Sequence, residues 1–177
     1  MLPAPCFLLI ADGLTNMKKI IIGVMGPGES ASDTEITSAF QLGKLIALEG
    51  WVLLTGGRKA GVMDAASRGA KSAGGLTIGI LPGNNTKGMS GAIDLAIITD
   101  LGNARNNINV LSSDVVVACG MGIGTASEVA LALKNGKSVV LLHSNTDSAA
   151  FFQKLSATKI AIAANPETAI EMIKQFL

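Results

Sequence analysis

An uninterrupted apolar run that ends in glycine and gives way to a helical pattern constrains this chain more than any other feature. Ile20 to Met25 is such a run, rich in β-branched residues, and it stops at Gly26-Pro27-Gly28. No polar residue alternates within it, which predicts a strand covered on both faces. Ser32 and Glu35 then stand at capping-box spacing, and Ile36, Ala39, Phe40, Gly43 and Ala47 recur at helical intervals until Gly50 stops the helix. The unit repeats at once. Trp51 to Thr55 reads as a strand, Gly56-Gly57 as a tight loop, Val62 to Ala73 as a small-residue helix ended by Gly74-Gly75, and Leu76 to Leu81 as a third strand.

After Pro82 a polar stretch, expected to be a mobile loop, leads to a further strand over Leu95 to Thr99. Asn103 to Ser112 is helix-like with an apolar side at Ile108 and Leu111, while Arg105, Asn106 and Asn109 share another face. Asp114 to Ala118 is a strand, Thr125 to Asn135 a helix and Ser138 to Leu142 a strand. A short helix past Asp147, a strand near Ile160 and a last helix from Pro166 to Phe176 follow. Strands alternating with helices imply a single α/β domain, Rossmann-like, with a doubly wound parallel sheet and helices on both faces.

The 177 residues, nearly half of them apolar, are enough for one core. Lys and Arg outnumber Asp and Glu by 14 to 13, so no global field draws the molecule to nucleic acid or to a membrane surface, and partners must be recognised locally. Cys6 and Cys119 lie in unrelated contexts without metal-ligand spacing. They read as free thiols in a reducing cytoplasm, and no metal site built from protein side chains is expected. The apolar run Cys6 to Ala11 has no basic flank and is too short to span a bilayer. A second apparent start at Met17-Lys18-Lys19 makes residues 1–16 an arm without function and residues 17–177 the domain.

Gly120-Met121-Gly122-Ile123-Gly124-Thr125 joins a buried strand to a helix. A tight turn needs one glycine; three let backbone N–H groups approach an anion at the positive end of the helix. Glu128 has capping-box spacing from Thr125, so it is either a cap or an acceptor or base facing a ligand. Gly56, Gly57 and Gly61 with Arg58 and Lys59 form a second loop able to offer N–H donors and positive charge. The echo between Leu53-Leu54-Thr55-Gly56-Gly57 and Val117-Ala118-Cys119-Gly120 suggests two glycine loops facing one crevice beyond the carboxyl ends of the strands. Asparagines are poor choices for a purely structural helix, so Arg105, Asn106 and Asn109 predict a polar surface turned to the ligand, with Arg105 as the anion partner.

Other signals fall away. His143, the single histidine, has no triad partner at a recognisable spacing and reads as a surface residue, and Cys119 as a small buried hydrophobe. Gly136-Lys137-Ser138 lacks the P-loop's earlier glycine, where Leu131 stands. A dinucleotide site would want an acid ending the second strand, where Thr55 and Gly56 lie.

Thr55-Gly56-Gly57, Gly61-Val62-Met63 and Gly122-Ile123-Gly124-Thr125-Ala126-Ser127-Glu128 resemble the family of phosphoribohydrolases once labelled lysine decarboxylases, over a span from about Lys18 to the end. That family's loop reads Pro-Gly-Gly-x-Gly-Thr-x-x-Glu, and here Gly120 and Met121 replace the Pro and first Gly. Its catalytic arginine is matched by Arg105, but the lysine that follows is Asn106 here. The same scaffold serves the molybdenum cofactor carrier proteins, and Arg105-Asn106 with Ile80-Leu81-Pro82-Gly83 looks closer to that branch.

That resemblance implies a cytoplasmic homo-oligomer, dimer or tetramer, formed through helices because no strand reads as available for edge pairing. It would bind the pterin-phosphate molybdenum cofactor, protect it and pass it to molybdoenzyme recipients without turnover, with no catalytic residue. The alternative is a nucleoside 5'-monophosphate phosphoribohydrolase of the cytokinin-activating type, in which Arg105 and Glu128 act together on a ribose. Either reading places Gly56, Gly57, Arg58, Arg105, Asn106, Gly122, Ile123, Gly124, Thr125 and Glu128 at the ligand.

Overall fold

Side chains of a strand alternate between its two faces, and here both sets are apolar. In the computed structural model, which describes residues 18–177, Val115, Val117 and Cys119 join Ile22 and Val24 in a cluster with Ala39, Leu42 and Ile46. Val116 and Ala118 point the other way, into a cluster with Met25, Val110, Val129 and Ala132. Each fully buried Val, Leu or Ile contributes roughly 1.5–3 kcal/mol.

The elements are β1 (Ile21–Met25), α1 (Asp33–Leu48), β2 (Val52–Thr55), α2 (Gly61–Ser72), β3 (Thr77–Leu81) and β4 (Leu95–Ile98). A 3-10 turn (Gly102–Arg105) runs into α3 (Asn106–Leu111), followed by β5 (Val115–Cys119), α4 (Ile123–Lys134), β6 (Ser138–Leu142), α5 (Thr146–Leu155), β7 (Ile160–Ala163) and α6 (Pro166–Phe176). All pairings are parallel and the strand order is β4-β3-β2-β1-β5-β6-β7. The chain winds outward from β1 to β4, returns to the centre at β5 and winds the other way. The reversal lies between β1 and β5, which open α/β sheets use as a ligand crevice.

Local signals explain several bounds. Ser32 caps α1 with Glu35 in a reciprocal capping box, and Asn165 caps α6, whose first residue is Pro166. Helices α1 and α2 meet backbone to backbone: a Cβ on Gly43 would strike the Ala66 carbonyl and one on Gly69 the Phe40 carbonyl.

Three expectations change. Helix α4 begins at Ile123, not Thr125, because Gly122 is its N-cap. The segment after Pro82, expected to be mobile, is pinned: Lys59 N–H donates to the Gly88 carbonyl at 2.8 Å and Ser90 N–H to the Gly57 carbonyl at 2.9 Å. Arg58 and Met89 form an antiparallel bridge there. An edge strand is present after all, since β4 ends the sheet with Leu95, Ile97 and Ile98 about half exposed. Among the described residues no helix is long and apolar enough to cross a membrane. The arm assigned to residues 1–16, with Cys6, lies outside the described residues.

Candidate functional site

The loops that leave β1 and β5 on either side of the strand-order reversal frame a cavity of about 300 Å3. Gly26-Pro27-Gly28 forms one lip and Gly122 to Thr125 the other; Gly56, Arg58, Arg105, Asn106 and Glu128 complete the lining.

The glycines of the β5–α4 turn have separate duties. Gly120 has φ +78, and a Cβ there would strike the Glu35 carboxylate, so this glycine makes the turn. Gly122 and Gly124 are not required in that way: Gly122 has extended backbone, and a Cβ on Gly124 would meet nothing within 4 Å. Gly122 also places no side-chain cap on the helix. The first intrahelical bond runs from Ala126 N–H to the Gly122 carbonyl at 2.8 Å. The amides of Ile123, Gly124 and Thr125 therefore have no acceptor within the helix, and all three residues line the cavity. This is the donor arrangement that holds a phosphate oxyanion.

Arg105 and Glu128 form the floor, with the fully buried Asn109 bonded to Glu128. Arg105 is 8% exposed, and its Nε and Nη1 have no hydrogen-bond partner. Glycine at 56 makes room for it, since a Cβ there would meet Nη1 and Nη2. Burial pulls the guanidinium below its ordinary value and the Arg58 charge adds to this, while the Glu128 carboxylate opposes both. Arginine nonetheless stays cationic. Asn109 Nδ2 donates to Glu128 Oε1 at 2.8 Å, and its own Oδ1 is unpartnered. Burial pushes the Glu128 carboxyl up to about 7, against the lowering effects of the Asn109 bond and the Arg105 charge. The Thr125–Glu128 spacing is thus not a capping box: Glu128 turns inward to Asn109, and the helix starts too early for Thr125 to cap it. Asn106 Nδ2 donates to Ser127 Oγ at 3.0 Å, which ties α3 to α4 at the rim.

Of the residues singled out from sequence, Gly57, Lys59 and Asn109 do not line this cavity, and Asn109, expected on a surface turned to the ligand, is fully buried. Gly57 N–H donates to Thr55 Oγ1 at 3.1 Å, and its φ of +73 shapes the loop that delivers Arg58. Arg58 lines the cavity and pairs with Glu29 at 3.4 Å. Pro27, Gly28, Ser30, Met63, Pro82 and Asn103 line it too, and no sequence argument singled them out as ligand residues. The loop after β1 was visible as a glycine turn, but only the strand order sets it against β5.

Cys119 is fully buried, and burial, with the Glu35 charge adding to it, pushes its thiol up to about 12, so it is inert. His143, expected on the surface, is partly buried at φ +57, with Nε2 2.7 Å from Ser38 Oγ, and it lies outside the cavity lining. Among the described residues no group of three His, Cys, Asp or Glu could hold a metal ion.

The SLOG cluster4 family matches residues 19–170. The molybdenum cofactor binding protein from the phototrophic bacterium Rippkaea orientalis is 65% identical, with a TM-score of 0.88 over 90% of this chain and 98% of that one. The Moco carrier protein from Chlamydomonas reinhardtii is 54% identical, with a TM-score of 0.86 over the same shares. An uncharacterized protein of Archaeoglobus fulgidus is 48% identical over 71% of this chain and 82% of its own length. The family match spans most of the sequence and the solved relatives share its fold almost end to end: the chain belongs to the SLOG cluster4 family.

Proposed function

We propose that this protein binds and carries molybdenum cofactor, holding the phosphate of the pterin at the N-terminus of α4. The observation that carries this reading is the convergence of three amides lacking helix acceptors, at Ile123, Gly124 and Thr125, with a buried arginine whose Nε and Nη1 are unpartnered. Leaving the buried Arg105 donors unmade costs roughly 1–3 kcal/mol each, and an oxyanion in the cavity would satisfy them together with the amides. Both solved relatives above are named for the same cofactor.

The reading extends to carriage without turnover. Where the resembling hydrolases place a lysine, Asn106 is neutral and its amide is bound to Ser127. Losing a cation beside a riboside phosphate removes electrostatic stabilisation on which rates depend exponentially. The phosphoribohydrolase alternative is favoured by one feature, the buried Arg105 and Glu128 at the floor. Incubation with adenosine monophosphate and a cytokinin riboside monophosphate decides between them. Release of free base that is abolished by Glu128→Ala or Arg105→Ala overturns the carrier reading; no release, with tight binding of molybdenum cofactor, is the expected result. The same reading places the protein in the cytoplasm as a homo-oligomer, dimer or tetramer, serving molybdoenzymes. A monomer in light scattering at micromolar concentration would remove the assembly from it.

A further inference from the structure

A second cavity, of about 490 Å3, opens beside the first, between the loops that follow β2 and β3. Arg58 and Pro82 line both cavities, so the two form one crevice with Arg58 at the join. Its walls are held by hydrogen bonds already described, from Lys59 to Gly88 and from Ser90 to Gly57, and by the bridge between Arg58 and Met89. Asn85 Oδ1 accepts from Lys87 N–H at 2.9 Å and shapes the outer end.

The charged lining of this cleft is mostly basic. Arg58, Lys59 and Lys87 line it against a single acid, Glu29, in a chain whose net charge is only +1. Glu29 already reaches Arg58 at 3.4 Å, so a carboxylate stands where an anionic ligand group would go. Size points the same way. The first cavity, at about 300 Å3, sits at the bottom of the range of roughly 300–1,000 Å3 that holds drug-sized ligands, and the adjoining cleft is larger.

We propose that this cleft is a second anion subsite, which takes the far charged end of the ligand whose phosphate lies at the α4 turn. The inference rests on the carrier reading above. The group it recognises is an oxyanion, either the oxo-metal end of a metal-loaded pterin or the additional phosphate of a nucleotide-extended form. Glu29 is the resident counter-ion of Arg58 and competes with that group.

Tungstate is the first probe, added to the full-length protein, with solution stoichiometry from calorimetry and positions from anomalous diffraction. Two anions per chain are expected, one at the Gly122–Thr125 amides and one among Arg58, Lys59 and Lys87. The Lys59→Glu/Lys87→Glu variant should keep the first and lose the second, and Glu29→Gln should tighten the second a few-fold. Opposite signs from substitutions on facing sides of one cleft cannot come from misfolding. An anion at the α4 turn alone, a second anion seen only at crystal concentrations, or a second anion indifferent to the double reversal overturns the subsite. An empty α4 turn instead overturns the phosphate site of the carrier reading.

Equilibrium dialysis of metal-free pterin phosphate, the metal-loaded cofactor and its nucleotide-extended form then separates the sources. About tenfold weakening by the double reversal, confined to the metal-loaded form, assigns the oxo-metal end; confined to the nucleotide-extended form, it assigns the additional phosphate. Equal weakening of all three, or none, overturns the proposal.

Discussion

The loops that follow β5 and β2 read alike in sequence, an apolar strand ending in glycine, yet they serve the cavity by different means. After β5 the backbone does the work: the α4 amides face the cavity and no side chain covers them. After β2 the backbone is occupied, with Gly57 N–H on Thr55 Oγ1 and the Gly57 carbonyl on Ser90 N–H. What this loop offers is a side chain, Arg58, and the space at Gly56 into which the Arg105 guanidinium fits. Glycine therefore leaves backbone amides open to the cavity in one loop and makes room for an arginine in the other.

The largest expected effect tests the first half of that contrast. Gly124→Val puts a branched side chain where the ligand should lie, and phosphate-ligand affinity should fall about a hundredfold, the loss of two charge-assisted hydrogen bonds. Thermal stability should barely move, because a Cβ there meets no protein atom within 4 Å and the two residues differ little in helix propensity. Unchanged affinity, measured by calorimetry, would mean that the amides are not the site.

Gly56→Ala comes next and probes the other loop. Its Cβ would push against the Arg105 guanidinium, so affinity should fall about tenfold and stability should fall with it. A loss of affinity with no change in melting temperature would erase the distinction between the loops.

Glu128 gives a smaller effect with a definite sign. Its folded-state pKa is raised to about 7, so the stability contributed by the protonated carboxyl is fully present below the ordinary carboxylate range and is lost as pH rises through about 7. Melting temperature should therefore decline between pH 5 and pH 8 in the wild type relative to Glu128→Gln, by the equivalent of a few kcal/mol at most, on the order of the pKa shift itself. Affinity for an anionic ligand should decline over the same interval, since a carboxylate then faces it. Parallel pH profiles for the two proteins would show that Glu128 does not titrate there.

Gly57→Ala should lower stability by about 1–2 kcal/mol, because φ is +73 and a Cβ would press on Leu81 and the Gly79 backbone, and should weaken ligand affinity less than Gly56→Ala does, through the Arg58 loop alone. Weakened binding at unchanged stability would place Gly57 in the site.

What the sequence made legible followed the range of the interaction. The Ser32–Glu35 box and the Asn165–Pro166 start of α6 are bonds across three residues, and both are formed. Thr125 and Glu128 have the same spacing as that box and do not form one. Glu128 is claimed by Asn109, 19 residues away, once α3 packs on α4. The alternation of strands and helices was readable because each apolar run and its glycine stop are local. The strand order was not, and with it the place of Pro27, Gly28 and Ser30 at the cavity, since nothing near residue 27 says that β5 will lie beside β1. The segment after Pro82 misled for the same reason: most of its polar residues are exposed, and only the loop after β2, remote in sequence, supplies the backbone bonds that pin it.

The contact of α1 with α2 through Gly43 and Gly69 has a mechanical consequence. These helices follow β1 and β2, whose loops make one side of the crevice, and each glycine touches a backbone carbonyl of the other helix. Backbone contact at both glycines leaves the helices little room to slide, and Arg68 of α2 lies over the Phe40 ring of α1, so the two helices are tied into one stiff unit. Amide exchange in α1 and α2 should accordingly show one common opening energy, and any widening or narrowing of the crevice has to come from the opposite bank, at α3 and α4.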